Sequence, residues 1–224
     1  YIPSHLGTKI ESLDRMDKIS VLYKKGNLTP VKNKVEQIID MDIPFYIDIQ
    51  IDDVSRLIDL IKGVEIFISN PVDLEYMESR ILLPSGSVVL DGDKLIDYIL
   101  YEEANEEERE KVWRKQKFLQ GLLKRIGEPG VNEFLLKDDP FRLFYNLLHT
   151  NISQRDIRSF VQEMTEFDTE HMYPGRVEGK VYIVEGKELL FPHFKGEYLK
   201  MNVKQLLDTI TSEEAFNDEV LTVT

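Results

Sequence analysis

The chain has 224 residues, 42% of them hydrophobic and 31% charged, the proportions of an ordinary globular protein able to bury a core of useful size. Its 41 acidic residues against 28 lysines and arginines leave a net charge of −13, which argues against general binding to a nucleic-acid backbone. It has no cysteine, so disulfides and thiolate metal sites are excluded and an extracytoplasmic setting fits, and no apolar run approaches the ~18 residues of a membrane-spanning helix.

The sequence opens on Tyr1-Ile2-Pro3 without an initiating Met or a signal peptide; a trimmed start, with a membrane anchor upstream, is the expectation. Residues 1–19 read as loop-rich, punctuated by Pro3 and Gly7. Residues 18–23 (KISVLY) form a short strand or a helical turn before Gly26-Asn27. Thr29-Pro30 then opens a helix to about Met41, with Val31, Val35, Ile38 and Ile39 on one face.

Residues 44–51 (PFYIDIQI) alternate apolar and polar side chains and predict a strand. Asp52 or Asp53 caps a helix carrying Val54, Leu57, Ile58 and Ile61, which Gly63 ends. Residues 64–68 (VEIFI) make a second strand, so the order predicts a βαβ unit with parallel strands. Pro84-Ser85-Gly86 reads as the turn of a hairpin between 79–83 and 87–90. Asp91 caps a helix from Gly92 to Tyr101, and a long amphipathic helix runs from about Asn105 to Ile126, stopped by Gly127 and Pro129. Helices follow over about 131–136, 139–149 (capped by Asp139) and 153–167. The tail offers a hairpin around Glu185-Gly186-Lys187, a helix over about 202–210 and a frayed end from Thr211.

The order of these segments resembles the LytR-CpsA-Psr family of cell-envelope proteins. Ile2-Pro3 sits where the family's IPRDT motif begins. Lys18-Ile19-Ser20 through Tyr23 and Gly26 resembles KIN-x-AY-x-x-GG, and residues 43–68 resemble its strand, helix and GGV strand. Leu90-Asp91-Gly92-Asp93 resembles LNGEQ, Asp97-Tyr98-Ile99 resembles AYV, and Arg114-Lys115-Gln116-Lys117-Phe118-Leu119 resembles RQQ-x-x-L. The match covers roughly residues 1–165, and its collinearity carries it. The resemblance implies an α/β fold with a central mixed β-sheet flanked by helices over 1–167, lacking the family's first strand, with a C-terminal hairpin-and-helix extension over 168–224. It implies an outward-facing, membrane-anchored protein with a pocket for a polyprenyl-pyrophosphate lipid. It also implies transfer of a glycopolymer from that lipid to an envelope acceptor, assisted by Mg²⁺ and arginines.

Such chemistry needs cations around a pyrophosphate, and arginine's planar fork suits it best. The resemblance puts Ser4 and His5 where the family has Arg and Asp, and Leu100 and Glu102 where it has two further arginines. Lys111, Arg114 and Gln116 remain as a phosphate-binding set, with Arg114 the best catalytic candidate. Phe45, Ile47 and Ile49 read as ordinary core, and the resemblance makes them, with Phe118, the expected wall of the lipid pocket, because the lipid tail would lie against the sheet. Two readings of the helix stay open: Lys111, Arg114, Lys115 and Phe118 as a lipid-phosphate rim, or as an exposed basic flank over a core of Val112, Leu119, Leu122, Leu123 and Ile126. Trp113 reads as packing. Glu102, Glu103, Glu106, Glu107, Glu108 and Glu110 would repel a pyrophosphate unless Mg²⁺ intervened, or form a solvated helix start.

His5, His149, His171 and His193 show no metal spacing, and Asp52-Asp53 and Asp138-Asp139 read as helix caps. No phosphate-cradling glycine loop occurs. Three functions follow: an envelope protein that binds a polyprenyl-(pyro)phosphate with weak or lost catalysis, an active Mg²⁺-dependent glycopolymer phosphotransferase using Arg15, Lys18, Lys111 and Arg114, or a non-catalytic envelope scaffold.

Overall fold

The structure, a computed structural model, describes residues 1–76, 79–101, 106–169, 172, 175–193, 200, 201, 203–205 and 208. In chain order the elements are β1 (Gly7–Ile10), β2 (Arg15–Lys18), α1 (Thr29–Ile39), α2 (Ile51–Leu60), β3 (Val64–Ile68), β4 (Val72–Tyr76), β5 (Ser79–Leu83), β6 (Gly86–Leu90), α3 (Gly92–Leu100), α4 (Glu108–Gly127), α5 (Pro129–Leu135), α6 (Asp138–Leu147), α7 (Gln154–Glu163), β7 (Gly179–Val184) and β8 (Lys187–Pro192). Helices and strands mix as the α/β class requires. Among the described residues the strands pair as two-stranded antiparallel ladders: β1 with β2, β3 with β6, β4 with β5 and β7 with β8.

The chain forms two compact units, one of Tyr1–Pro44 with Tyr173–Thr224 and one of Phe45–Met172. In the first, Leu6 bridges Leu190 in parallel, and Leu6, Ile19, Val177 and Leu190 form a small core under Val31, Val35 and Ile38 of α1. The tail hairpin, expected as part of an extension from 168, thus shares a unit with the start of the chain. Buried Asp17 ties the unit together. Its Oδ2 accepts from Lys187 Nζ at 2.6 Å and from Arg15 Nη2 at 2.7 Å, and its Oδ1 accepts from the Lys18 N–H at 2.9 Å. The Lys187 bond first, then the Lys18 N–H and Arg15, hold the Asp17 carboxyl down to about 2, because each favours the ionised form.

The second unit is built on one apolar cluster. Val54, Leu57 and Ile58 of α2 meet Val64, Ile66 and Ile68 of β3, Leu95 and Ile99 of α3, Leu135, Phe141, Phe144, Ile157 and Val161. Each such side chain contributes about 1.5–3 kcal/mol when removed from water. Gly63, at φ +88°, lets the chain turn from α2 into β3, since a left-handed residue there suits glycine. Gly121 lets α4 lie on β3, where an added Cβ would come within 3.1 Å of the Glu65 carbonyl. Asp91 caps α3 by accepting from the Lys94 N–H at 3.0 Å, and Ser153 caps α7 through the Asp156 N–H.

Several expectations need correction. Residues 44–51 are not a strand: Ile47 makes one antiparallel bridge to Thr150, and α2 already begins at Ile51. Without that strand there is no parallel βαβ unit, and β3 pairs antiparallel with β6. The turn at 84–86 joins strands of different ladders, because β5 returns to β4. Gln50 and Lys137, not the aspartates, stand at the N-caps of α2 and α6, with Asp52, Asp53, Asp138 and Asp139 in the first turns. The residues before Ile19 form the β1–β2 hairpin rather than loop alone. Glu102, Glu103, His171, the end 211–224 and most of the helix expected over 202–210 lie outside the described residues.

Candidate functional site

The second unit contains a cavity of about 450 Å³. Ile68 at the end of β3, Ser69, Asn70 and Pro71 of the following loop and Val72 of β4 form one side. Tyr98 of α3 and Tyr101 just after it form another, and Glu106 with Arg109, Glu110, Trp113 and Arg114 of α4 completes the lining. Helical spacing explains the last group: residues three and four apart share a face, so Arg109, Glu110, Trp113 and Arg114 project together.

Arg114 is the centre of this site. It is 4% exposed, an unusual position for a cation unless it is paired. Its Nη1 donates to Glu106 Oε1 at 2.5 Å and its Nη2 to Oε2 at 3.0 Å, the two-pronged arrangement that guanidinium makes with planar oxyanions. Nη2 also donates to the Tyr101 carbonyl at 2.9 Å. The guanidinium carbon lies 3.9 Å from the Tyr101 ring centre and 5.7 Å from that of Tyr98, so the cation rests over aromatic faces. Among the described residues the buried Nε has no hydrogen-bond partner.

Burial alone would weaken the charged form of Arg114, but the Glu106 carboxylate and the two tyrosines offset it and its pKa is raised. Burial pushes the Tyr98 phenol up, with Arg114 opposing and Glu106 adding to the shift. The lining therefore carries Arg109 and Arg114 against Glu106 and Glu110. The cavity is close to charge-balanced before any ligand enters.

Of the expected phosphate-binding set, Arg114 lines the cavity; Lys111 and Gln116 are partly buried on the same helix and are not among its lining residues. Of the expected lipid wall, Phe45 and Ile47 are 61% and 50% exposed, while Ile49 and Phe118 pack against the main core; none of the four lines the cavity. The two open readings of α4 each hold in part. Val112 and Ile126 are core, Leu119 is exposed, and Arg114 is neither rim nor flank but buried. Trp113, expected as packing, is 45% exposed and faces the cavity. Ser4, His5, Arg15 and Lys18 belong to the first unit. Sequence reasoning missed Glu106, Tyr98 and Tyr101: Glu106 precedes the N-cap of α4, so no helical spacing ties it to Arg114, and nothing in the acidic run marks it out.

Mg²⁺ prefers oxygen ligands in octahedral geometry and takes one or two carboxylates besides phosphates and waters. Among the described residues no group of three or more histidines, aspartates or glutamates is placed to hold a metal ion, and Glu106 is committed to Arg114. Among the described residues no helix is long and apolar enough to cross a membrane.

The sequence profile of the LytR_cpsA_psr family matches residues 2–206, well beyond the stretch over which the motifs are recognisable. The chain belongs to the LytR-CpsA-Psr family. Over 125 residues it is 24% identical to the Bacillus cereus (strain AH820) protein named polyisoprenyl-teichoic acid–peptidoglycan teichoic acid transferase TagU, covering 55% of this chain and 40% of that protein. It therefore spans less than half the length of that relative. The crystal structure of B. subtilis TagV aligns with a TM-score of 0.77 at 16% identity, covering 92% of this chain and 81% of that one. A structure of TagT bound to LI-WTA aligns with a TM-score of 0.68 at 14% identity, covering 92% and 76%. These likenesses establish the LytR-CpsA-Psr fold.

Proposed function

We propose that this LytR-CpsA-Psr domain binds a polyprenyl-(pyro)phosphate lipid of the kind that carries an envelope glycopolymer, and has weak or lost transferase activity. The protein would act outside the cytoplasmic membrane, held there by an anchor, as part of glycopolymer attachment to the cell wall. Family membership and the relative named as a teichoic acid transferase support the ligand class. The observation that supports weak catalysis is the state of Arg114. Phosphoryl transfer depends on cations free to stabilise charge that builds on the phosphate oxygens. Here the best-placed arginine is buried and already paired with Glu106 at 2.5 Å and 3.0 Å, and Leu100 stands where the resemblance expects another.

The chain's single tryptophan lines the cavity, which makes binding readable. Titrating a polyprenyl phosphate in detergent should change Trp113 fluorescence saturably, while detergent and prenyl alcohol at equal concentration should not. A transfer assay with Mg²⁺, a lipid-linked glycopolymer and peptidoglycan should give little or no product. Turnover comparable to an active relative would refute the loss of catalysis, and absence of any saturable lipid effect would refute the binding.

A further inference from the structure

The feature least explained by a lipid-phosphate site is the glutamate inside it. Glu106 precedes the N-cap of α4, yet its side chain is 5% exposed. A carboxylate is rarely taken this far from water unless a cation compensates it. Its oxygens meet Nη1 and Nη2 of Arg114 side by side, which is how a phosphate would meet the same fork. One face of that guanidinium lies against the Tyr101 ring, and Nη2 donates its other hydrogen bond to the Tyr101 carbonyl. The two-pronged edge is therefore the natural place for an external oxyanion, and Glu106 fills it. The nearby Glu107 and Glu110 are exposed and add to the negative field, and Arg109 faces Glu107 at 3.8 Å.

We infer that Glu106 is the specificity-determining residue of this cavity: it takes the oxyanion's place on Arg114 and so disfavours a free phosphate or pyrophosphate relative to one carried on a lipid chain, whose contacts with apolar lining such as Ile68, Val72 and Trp113 supply the remaining affinity. This rests on the lipid-phosphate reading above and deepens it. A phosphate or pyrophosphate entering the wild-type site must displace Glu106 and leave a buried carboxylate without its counter-charge. Replacing Glu106 with an uncharged isostere frees the two-pronged edge of the guanidinium to take the anion.

The test compares wild type with Glu106→Gln, titrating inorganic pyrophosphate and a polyprenyl phosphate by Trp113 fluorescence and calorimetry. The variant should bind pyrophosphate at least about tenfold more tightly, which corresponds to about 1.4 kcal/mol, and Arg114→Gln introduced beside it should abolish the gain. Glu106→Asp, which keeps the charge and shortens the reach by one methylene, should show a smaller gain; it carries the comparison if circular dichroism shows Glu106→Gln unfolded. Equal pyrophosphate affinity across wild type and variants overturns the inference. If those affinities are equal while polyprenyl phosphate still binds saturably, the inference alone fails. If Glu106→Gln gains pyrophosphate but no form binds the lipid, the lipid reading fails and the role of Glu106 stands.

Discussion

Replacing Arg114 with methionine removes the cation and keeps much of its apolar stem. Glu106, 5% exposed on its side chain, is then left buried without the Arg114 counter-charge, and the Tyr101 carbonyl loses the Arg114 donor. Removing one partner of a buried pair typically costs about 3–5 kcal/mol, most of it the penalty of the stranded charge. For a domain of this size each kcal/mol moves the melting temperature by about 2–4 °C, so Arg114→Met should melt roughly 6–20 °C below wild type. Replacing both partners, Arg114→Met with Glu106→Leu, should recover most of that loss, because no buried charge remains. Urea unfolding followed by Trp113 fluorescence gives the free energies, and the double-mutant cycle isolates the coupling. An Arg114→Met variant within about 0.5 kcal/mol of wild type, the range of ordinary surface substitutions, would mean the pair is solvated and the description of the site is wrong.

Other outcomes follow from the rest of the molecule. Asp17 has its carboxyl at about 2 in the folded protein against an ordinary 3.8. A depressed carboxyl contributes stability that is complete above the ordinary value and is lost as pH falls through the folded one. Asp17→Asn should therefore be less stable than wild type at pH 7 and should lose part of the steep decline between pH 3.8 and about 2, measured by melting across that window. Gly92→Ala puts a Cβ 2.3 Å from the Ser55 carbonyl oxygen; forcing α2 and α3 apart should cost about 1–3 kcal/mol or more in urea unfolding. Asp91→Ala removes the side-chain cap of α3 and should cost about 1 kcal/mol.

The helices were legible because their signals are local. Asp91 caps where the sequence says, and Leu57, Ile58 and Ile61 recur at the spacing that buries one face. The strands were less so, because pairing is decided by residues far apart. The alternation of 44–51 satisfies a strand pattern, yet Phe45 and Ile47 face solvent and the segment finds one bridge. The hairpin of β1 and β2 escaped notice because its strands are four residues each and largely polar. The Asp17 hub was invisible for the same reason, its main partner Lys187 lying 170 residues away. At the candidate site the sequence pointed to Arg114, and family order to its surroundings. It gave no sign that one glutamate of an acidic run turns inward while Glu107, Glu108 and Glu110 stay in water.

The most direct test of the central claim is one titration: wild-type protein with a polyprenyl phosphate in detergent, read through Trp113 and matched against the corresponding prenyl alcohol. Saturable quenching or enhancement by the phosphate alone, with no glycopolymer transfer by the same preparation, is the expected result. A flat titration, or efficient transfer under the same conditions, would contradict it.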